Sequence, residues 1–186
     1  MPRRVPIVTR EDVAREFQGA YDEITAIRGH QPVMGPTSVM IHSPEMALRA
    51  NRLSEYLEQM SDMPDRLKEL AMCIGARSMD CQFIWNAHSA AGRRVGLSDG
   101  IIDAVRDRKP LPDSPRDEAI MATYGLELTS TNRVSQETFE AALDVMGVQQ
   151  LTEFTTLIGY YRMLSLNANG FTIDMPETRT EPLLPI

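Results

Sequence analysis

Four side chains in the middle of the chain have the types and spacing for acid–base or thiol chemistry: Glu69, Cys81, Trp85 and His88. On a helix starting near Cys81, residues 81, 85 and 88 stand at i, i+4 and i+7, so their side chains share one face. A thiol, an indole and an imidazole would converge there. Glu69 falls one helix earlier, and an antiparallel helix pair would return its carboxylate toward His88. A carboxylate beside an imidazole fixes the ring tautomer and favours its protonated form, which equips His88 for proton transfer. A thiol near a histidine can ionise to the thiolate. The same stripe also suits a core face with a satisfied histidine, and spacing alone leaves both readings open.

These residues need helices to hold them, and the chain reads as helix almost throughout. Thr9-x-x-Asp12 forms a capping box ahead of Val13, Phe17, Ala20, Tyr21 and Ile24 at helical spacing, with Gly29 and Pro32 as the stop. Residues 29–44 form a connection with about one turn of helix. Ser43-Pro44-Glu45 places an N-cap before a proline at the first helical position, and Pro64 stands near the start of the next helix. The helix of residues 80–95 ends at Gly96, which suits a left-handed cap. Further helices are predicted over about 98–106, 115–129, 135–146 and 148–168, with Ser135 as a start and Gly147 as a break. No strand alternation is visible. The reading is all-α, with about eight helices, in one domain of residues 1–170 followed by a tail of residues 171–186. That tail is proline-rich and too poor in apolar residues to fold alone, which suggests that it lies across a neighbouring subunit.

One internal echo stands out. Leu67-x-Glu69-x-x-x-x-Ile74-Gly75 matches Leu151-x-Glu153-x-x-x-x-Ile158-Gly159 at an offset of 84 residues. Two related helical halves would follow, differing where the chemistry is concentrated.

Composition narrows the function classes. Apolar residues make up 42% and charged residues 24%, a globular balance that excludes wholesale disorder. A net charge of −7 without a basic stripe argues against nucleic acid and against anionic membrane as partners. No apolar run is long enough to cross a bilayer, and the twin arginine near the start precedes an acidic rather than an apolar segment, so the expected location is cytoplasmic. Cys73 and Cys81 cannot build a disulfide framework, and no Cys/His set has zinc spacing, so no metal is expected. Twelve methionines point to an adaptable helical core or a Met-lined pocket.

Glu69, Cys81, His88, Ala90-Ala91 and Gly96-Leu97-Ser98 together resemble the signature of the carboxymuconolactone decarboxylase family, whose relatives include the alkylhydroperoxidase-like proteins. The resemblance extends to Gly35-Pro36, His42-Ser43-Pro44-Glu45, Arg133-Val-Ser135 and Leu157-Ile-Gly-Tyr-Tyr161, covering about residues 30–175. It implies an all-α, alkylhydroperoxidase-like fold with two related helical halves, assembled as a homo-oligomer, a trimer or a multiple of one. It also implies a lyase or isomerase that needs no cofactor and acts on a small carboxylated cyclic or unsaturated substrate, with γ-carboxymuconolactone the first to consider. His88 would be the proton donor, Glu69 its orienting or relay partner and Cys81 an auxiliary donor, while Trp85 and Ile84 would wall the pocket. A substrate carboxylate would call for an arginine, with Arg49, Arg52, Arg77 and Arg162 as candidates. One departure matters: where peroxidase-type members carry a second cysteine, this chain has Ile84. A dithiol cycle needs a resolving thiol within reach, so that chemistry is in doubt here. Two other classes stay open: a thiol-dependent peroxidase or reductase using Cys81, and a non-catalytic helical assembly that keeps the family shell.

Overall fold

The computed structural model describes residues 3–173, 175 and 178–186; of the expected tail, residues 174, 176 and 177 lie outside the described residues. Among the described residues there is helix and no strand. The elements are α1 (Gln18–Arg28), α2 (Thr37–Met40), α3 (Pro44–Glu55), α4 (Asp65–Ser78), α5 (Gln82–Arg94), α6 (Asp99–Asp107), α7 (Arg116–Thr131) and α8 (Gln136–Phe171). None of them is long and apolar enough to cross a membrane.

Helix ends fall where side chains dictate. Ser43 is the N-cap residue of α3, its carbonyl accepting from Ala47 N at 2.9 Å with Pro44 in the first turn, and Gly96 takes φ 85° just past α5. The predicted break at Gly147 appears inside α8 as φ 68° and ψ 171°, so α8 is two helices in tandem. The capping box opens something shorter than expected. Thr9 donates from both its amide and its hydroxyl to Asp12 Oδ2, each at 2.9 Å, but these bonds close a 3₁₀ turn. Val13 and Ala14 are extended, a second 3₁₀ turn follows, and α1 begins only at Gln18. The buried Val13 side chain draws this stretch onto the core instead of along a helix. A π-helical turn, Tyr56–Met60, extends α3; Ser61 N donates to Tyr56 O at 2.9 Å to close it.

The core lies where α4 packs against α8, α5 and α7. Trp85, Leu67, Leu70, Ile74 and Phe154 are almost wholly buried there. The two halves seen in sequence meet at the α4–α8 crossing, where Gly75 is pressed against Ile158 and Tyr161. A Cβ on Gly75 would lie 3.0 Å from the Ile158 carbonyl oxygen and 3.0 Å from Tyr161 Cβ. The matched Gly159 faces open space. The halves also use their matched carboxylates differently. Glu153 is buried and accepts from Ser61 Oγ at 2.5 Å, Tyr56 Oη at 2.8 Å and Gln149 Nε2 at 3.0 Å. Burial works against its charge, but these donors and the nearby Lys68 ammonium outweigh it and hold the carboxyl below its ordinary range. Glu69 instead faces a histidine.

The last residues return to their own chain rather than leaving it. Gln82 Oε1 accepts from Leu184 N at 2.8 Å, Gln82 Nε2 donates to Leu184 O at 3.0 Å, and Leu184 is buried. Arg93 joins Glu181 to Asp103 across the same face of α5. The expected tail is therefore a strap on α5 of the same chain over residues 181–185.

Candidate active site

Three residues separate α4 from α5, and this tight hairpin sets the two helices side by side. Asp80 takes a left-handed φ of 48°, and Cys81 N returns to Ala76 O at 2.9 Å. Glu69, two turns from the end of α4, then comes level with the second turn of α5. His88 Nδ1 lies 2.9 Å from Glu69 Oε2. A carboxylate only accepts, so Nδ1 carries the proton and Nε2 is left to exchange one with a bound molecule. The imidazole is further fixed by the buried Tyr161 ring, edge-on with centroids 4.7 Å apart.

His88 stands between two cavities. The larger, of about 580 Å³, is walled by Phe83, Ile84, Ala87 and His88 of α5, Tyr161 and Leu164 of α8, Ser54 and Glu58 near the π turn, Arg28, and the loop of residues 30–37. The smaller, of about 300 Å³, holds the Glu69 side with Lys68, Asp65 and Glu58. The smaller cavity thus lies on the Nδ1–Glu69 side of the ring, and the larger one is open to a ligand beside the imidazole. Gly35 on the loop takes φ 63°, and a Cβ there would lie 3.2 Å from the Phe83 ring, so glycine lets the loop close over the cavity.

The expected stripe divides between two faces of α5. His88 and Ile84 border the larger cavity, whereas Cys81 and Trp85 are not among its lining residues and are buried in the core. The reason is local. Cys81 is the extended N-cap residue of α5, so its side chain points toward α8, where Ser165 approaches it. Burial pushes the Cys81 thiol up, against hydrogen bonds from the Ile84 and Phe83 backbone and from Ser165. Cys73, on α4, is wholly buried and its thiol is pushed up much further by the same cause. Neither cysteine is in a disulfide. Of the two positions in a Cys-x-x-Cys pattern starting at Cys81, the one that meets the cavity is the second, and it holds Ile84.

Two charged residues that sequence reasoning missed share the larger cavity. Glu58, on the π turn, accepts from Ser54 Oγ at 2.5 Å and from Tyr161 Oη at 2.9 Å. Wide turns of this kind recur at functional sites because they re-aim one side chain without ending the helix. Arg28, the last residue of α1, reaches the same space. None of the four arginines proposed from sequence lines it. Arg49 pairs with Glu45, Arg52 with Glu23 at 2.7 Å, Arg77 with Asp80 and the Arg106 carbonyl, and Arg162 stands elsewhere on α8.

No family model and no curated protein matches the chain. Several solved structures do resemble it. An alkylhydroperoxidase AhpD core, an uncharacterized peroxidase-related protein from Ralstonia eutropha, is 14% identical with a TM-score of 0.72, over 94% of this chain and 93% of that one. The debrominase Bmp8, in a cysteine-to-alanine form with 2,3,4-tribromopyrrole, is 15% identical with a TM-score of 0.71, over 95% and 94%. A protein of unknown function from Agrobacterium tumefaciens, a putative antioxidant defence AhpD, is 20% identical with a TM-score of 0.66, over 75% and 96%. The chain therefore has the alkylhydroperoxidase-like helical fold, with the two related halves read from its sequence.

Proposed function

We propose that the protein is a carbon–carbon lyase or isomerase that moves a proton through the Glu69–His88 pair on a small carboxylated cyclic or unsaturated substrate. The observation that carries this reading is the 2.9 Å Nδ1 contact, which leaves Nε2 free on a histidine that lines a cleft of molecular size. In the decarboxylating form, His88 enters as imidazolium. The bond from carbon to the leaving carboxylate breaks, CO₂ departs, and its electron pair spreads into the substrate's conjugated carbonyl. Nε2 then gives its proton to carbon, and the neutral imidazole regains one from water. Glu69 holds the ring in place throughout and balances its positive charge until the proton is transferred. Ile84, Phe83 and Leu164 keep the developing anion away from bulk water, where its interaction with His88 would be screened. A substrate of this size is consistent with the small ring bound to the debrominase that shares the fold.

The thiol reading has less support. Thiolate is the reactive form, and both thiols are buried with raised pKa values away from the cavity wall. We take the functional unit to be a homo-oligomer, as the carboxymuconolactone decarboxylase resemblance implies. The test is a turnover screen of carboxylated lactones, γ-carboxymuconolactone first, run beside hydroperoxide reduction on wild type, His88→Ala and Cys81→Ser. A loss of about 10²–10⁴-fold in His88→Ala with near-normal Cys81→Ser supports proton transfer. Hydroperoxide turnover that disappears in Cys81→Ser overturns it.

A further inference from the structure

We infer that Arg28 is the anchoring cation of the larger cavity and that its ligand is a carboxylate attached to a small apolar ring or unsaturated chain. This rests on the proposed reading of the site and adds the group that recognises the substrate.

The side chain is placed for that role and is otherwise unused. Arg28 is partly buried at the end of α1 and forms no ion pair among the described residues. Its one hydrogen bond runs from Nη1 to Asn51 Oδ1, at 3.3 Å. Asn51 is itself buried and locked by its own bond to Ala47 O at 2.8 Å, so it orients the guanidinium without neutralising it. Arg28 Nε is buried with no partner among the described residues. Nε itself is shielded, so a ligand in the cavity meets the rest of a guanidinium whose charge no carboxylate balances among the described residues. A carboxylate is the acceptor whose two oxygens fit the guanidinium fork. Beyond the cation, the same cavity offers Val33, Phe83, Ile84 and Leu164, which suit a ring or an unsaturated chain. His88 lines the same cavity and pairs with Glu69, so a ligand that gives its carboxylate to Arg28 presents its apolar body to the proton donor. The anchored carboxylate is therefore the one that stays on the molecule. Contact with Arg28 is the same in ground and transition states, so removing it raises KM and leaves kcat nearly unchanged.

Benzoate and its uncharged isostere benzamide are the probes, titrated by calorimetry into wild type, Arg28→Gln, Arg28→Lys and His88→Gln. Benzoate should bind wild type at least tenfold tighter than benzamide. Arg28→Gln should abolish that preference, Arg28→Lys should keep part of it, and His88→Gln should keep most of it. In wild type, the ¹⁵N–¹H resonance of Arg28 Nε should shift on benzoate addition and not on benzamide addition, a readout that does not depend on any variant folding. Equal binding of the two probes, undiminished preference in Arg28→Gln, or an unmoved Nε resonance at saturation would overturn the assignment. Benzoate binding that depends on Arg28 in a protein that turns over no carboxylated compound would sink the proton-transfer reading and leave the anchor standing.

Discussion

The matched glycines of the two halves predict stability changes of opposite sign for the same substitution. Alanine in a helix interior is favoured over glycine by about 1 kcal/mol, through lower backbone entropy in the unfolded chain. At Gly159 the added methyl meets no atom within 4 Å, so Gly159→Ala should stabilise by about 0.5–1 kcal/mol. At Gly75 the methyl would sit 3.0 Å from the Ile158 carbonyl oxygen and 3.0 Å from Tyr161 Cβ. Both obstacles are backbone or next to it, so they cannot rotate away, and α4 must part from α8. Overpacking of that kind costs about 1–3 kcal/mol, which leaves Gly75→Ala destabilised by about 0–2 kcal/mol after the propensity gain. The two variants should then differ by about 1–3 kcal/mol. Urea unfolding at constant slope would show this as midpoints on the order of 1 M apart. A second readout follows from Tyr161, whose ring holds His88. Gly75→Ala should lower any His88-dependent turnover, and Gly159→Ala should not. If Gly75→Ala stabilises as much as Gly159→Ala, the close helix crossing is not where it is described.

Other outcomes can be checked directly. Ile84→Cys should place a thiol on the cavity wall four residues before His88, so a disulfide reagent should label it far faster than the two buried thiols of the native wild type; equal rates would remove Ile84 from the cavity. Glu153→Gln should destabilise the protein at neutral pH. A carboxyl held below its ordinary value contributes stability above its unfolded pKa of about 4.3, and that contribution is lost as pH falls through the lower folded value, so the gap to wild type should close in acid. A gap unchanged between pH 7 and pH 3 would contradict the hydrogen-bonded carboxylate. Gln82→Ala removes two hydrogen bonds to Leu184, each worth about 0.5–1.5 kcal/mol, and should release the strap to proteolysis before the domain unfolds.

Much of the helical plan was legible because punctuation residues set it. Ser43-Pro44, Gly96, Ser135 and Gly147 each fall where a helix starts, stops or breaks. Residues 9–17 misled because apolar spacing cannot distinguish a helix from a chain pinned to the core at Val13. The Glu69–His88 contact followed from a short loop between two helices, a local matter. Which face of α5 meets the cavity did not follow. The 81/85/88 and 84/88 stripes differ by one step of the helix, and only the position of α8 decides between them. Arg28 and Glu58 were hidden for a related reason: each reaches the cavity from an element outside α4 and α5, Arg28 from the end of α1 and Glu58 from the π turn, with no motif nearby to mark it.

The π turn at Tyr56–Met60 makes chain length, rather than residue type, the sensitive quantity in this segment. It carries one residue more than an α turn spanning the same axial step, and each residue of a helix accounts for about 100° of rotation. Deleting any one of these five residues would let the turn heal into regular helix and improve its backbone bonding. The side chains before and after the deletion would then be re-aimed against each other. The bonds from Tyr56 to Glu153 and from Tyr161 to Glu58 both end on this turn, so a deletion between Tyr56 and Glu58 would rotate one against the other by about 100°. A homologue lacking that residue would carry a smoother helix and a different cavity wall, even with every named side chain retained.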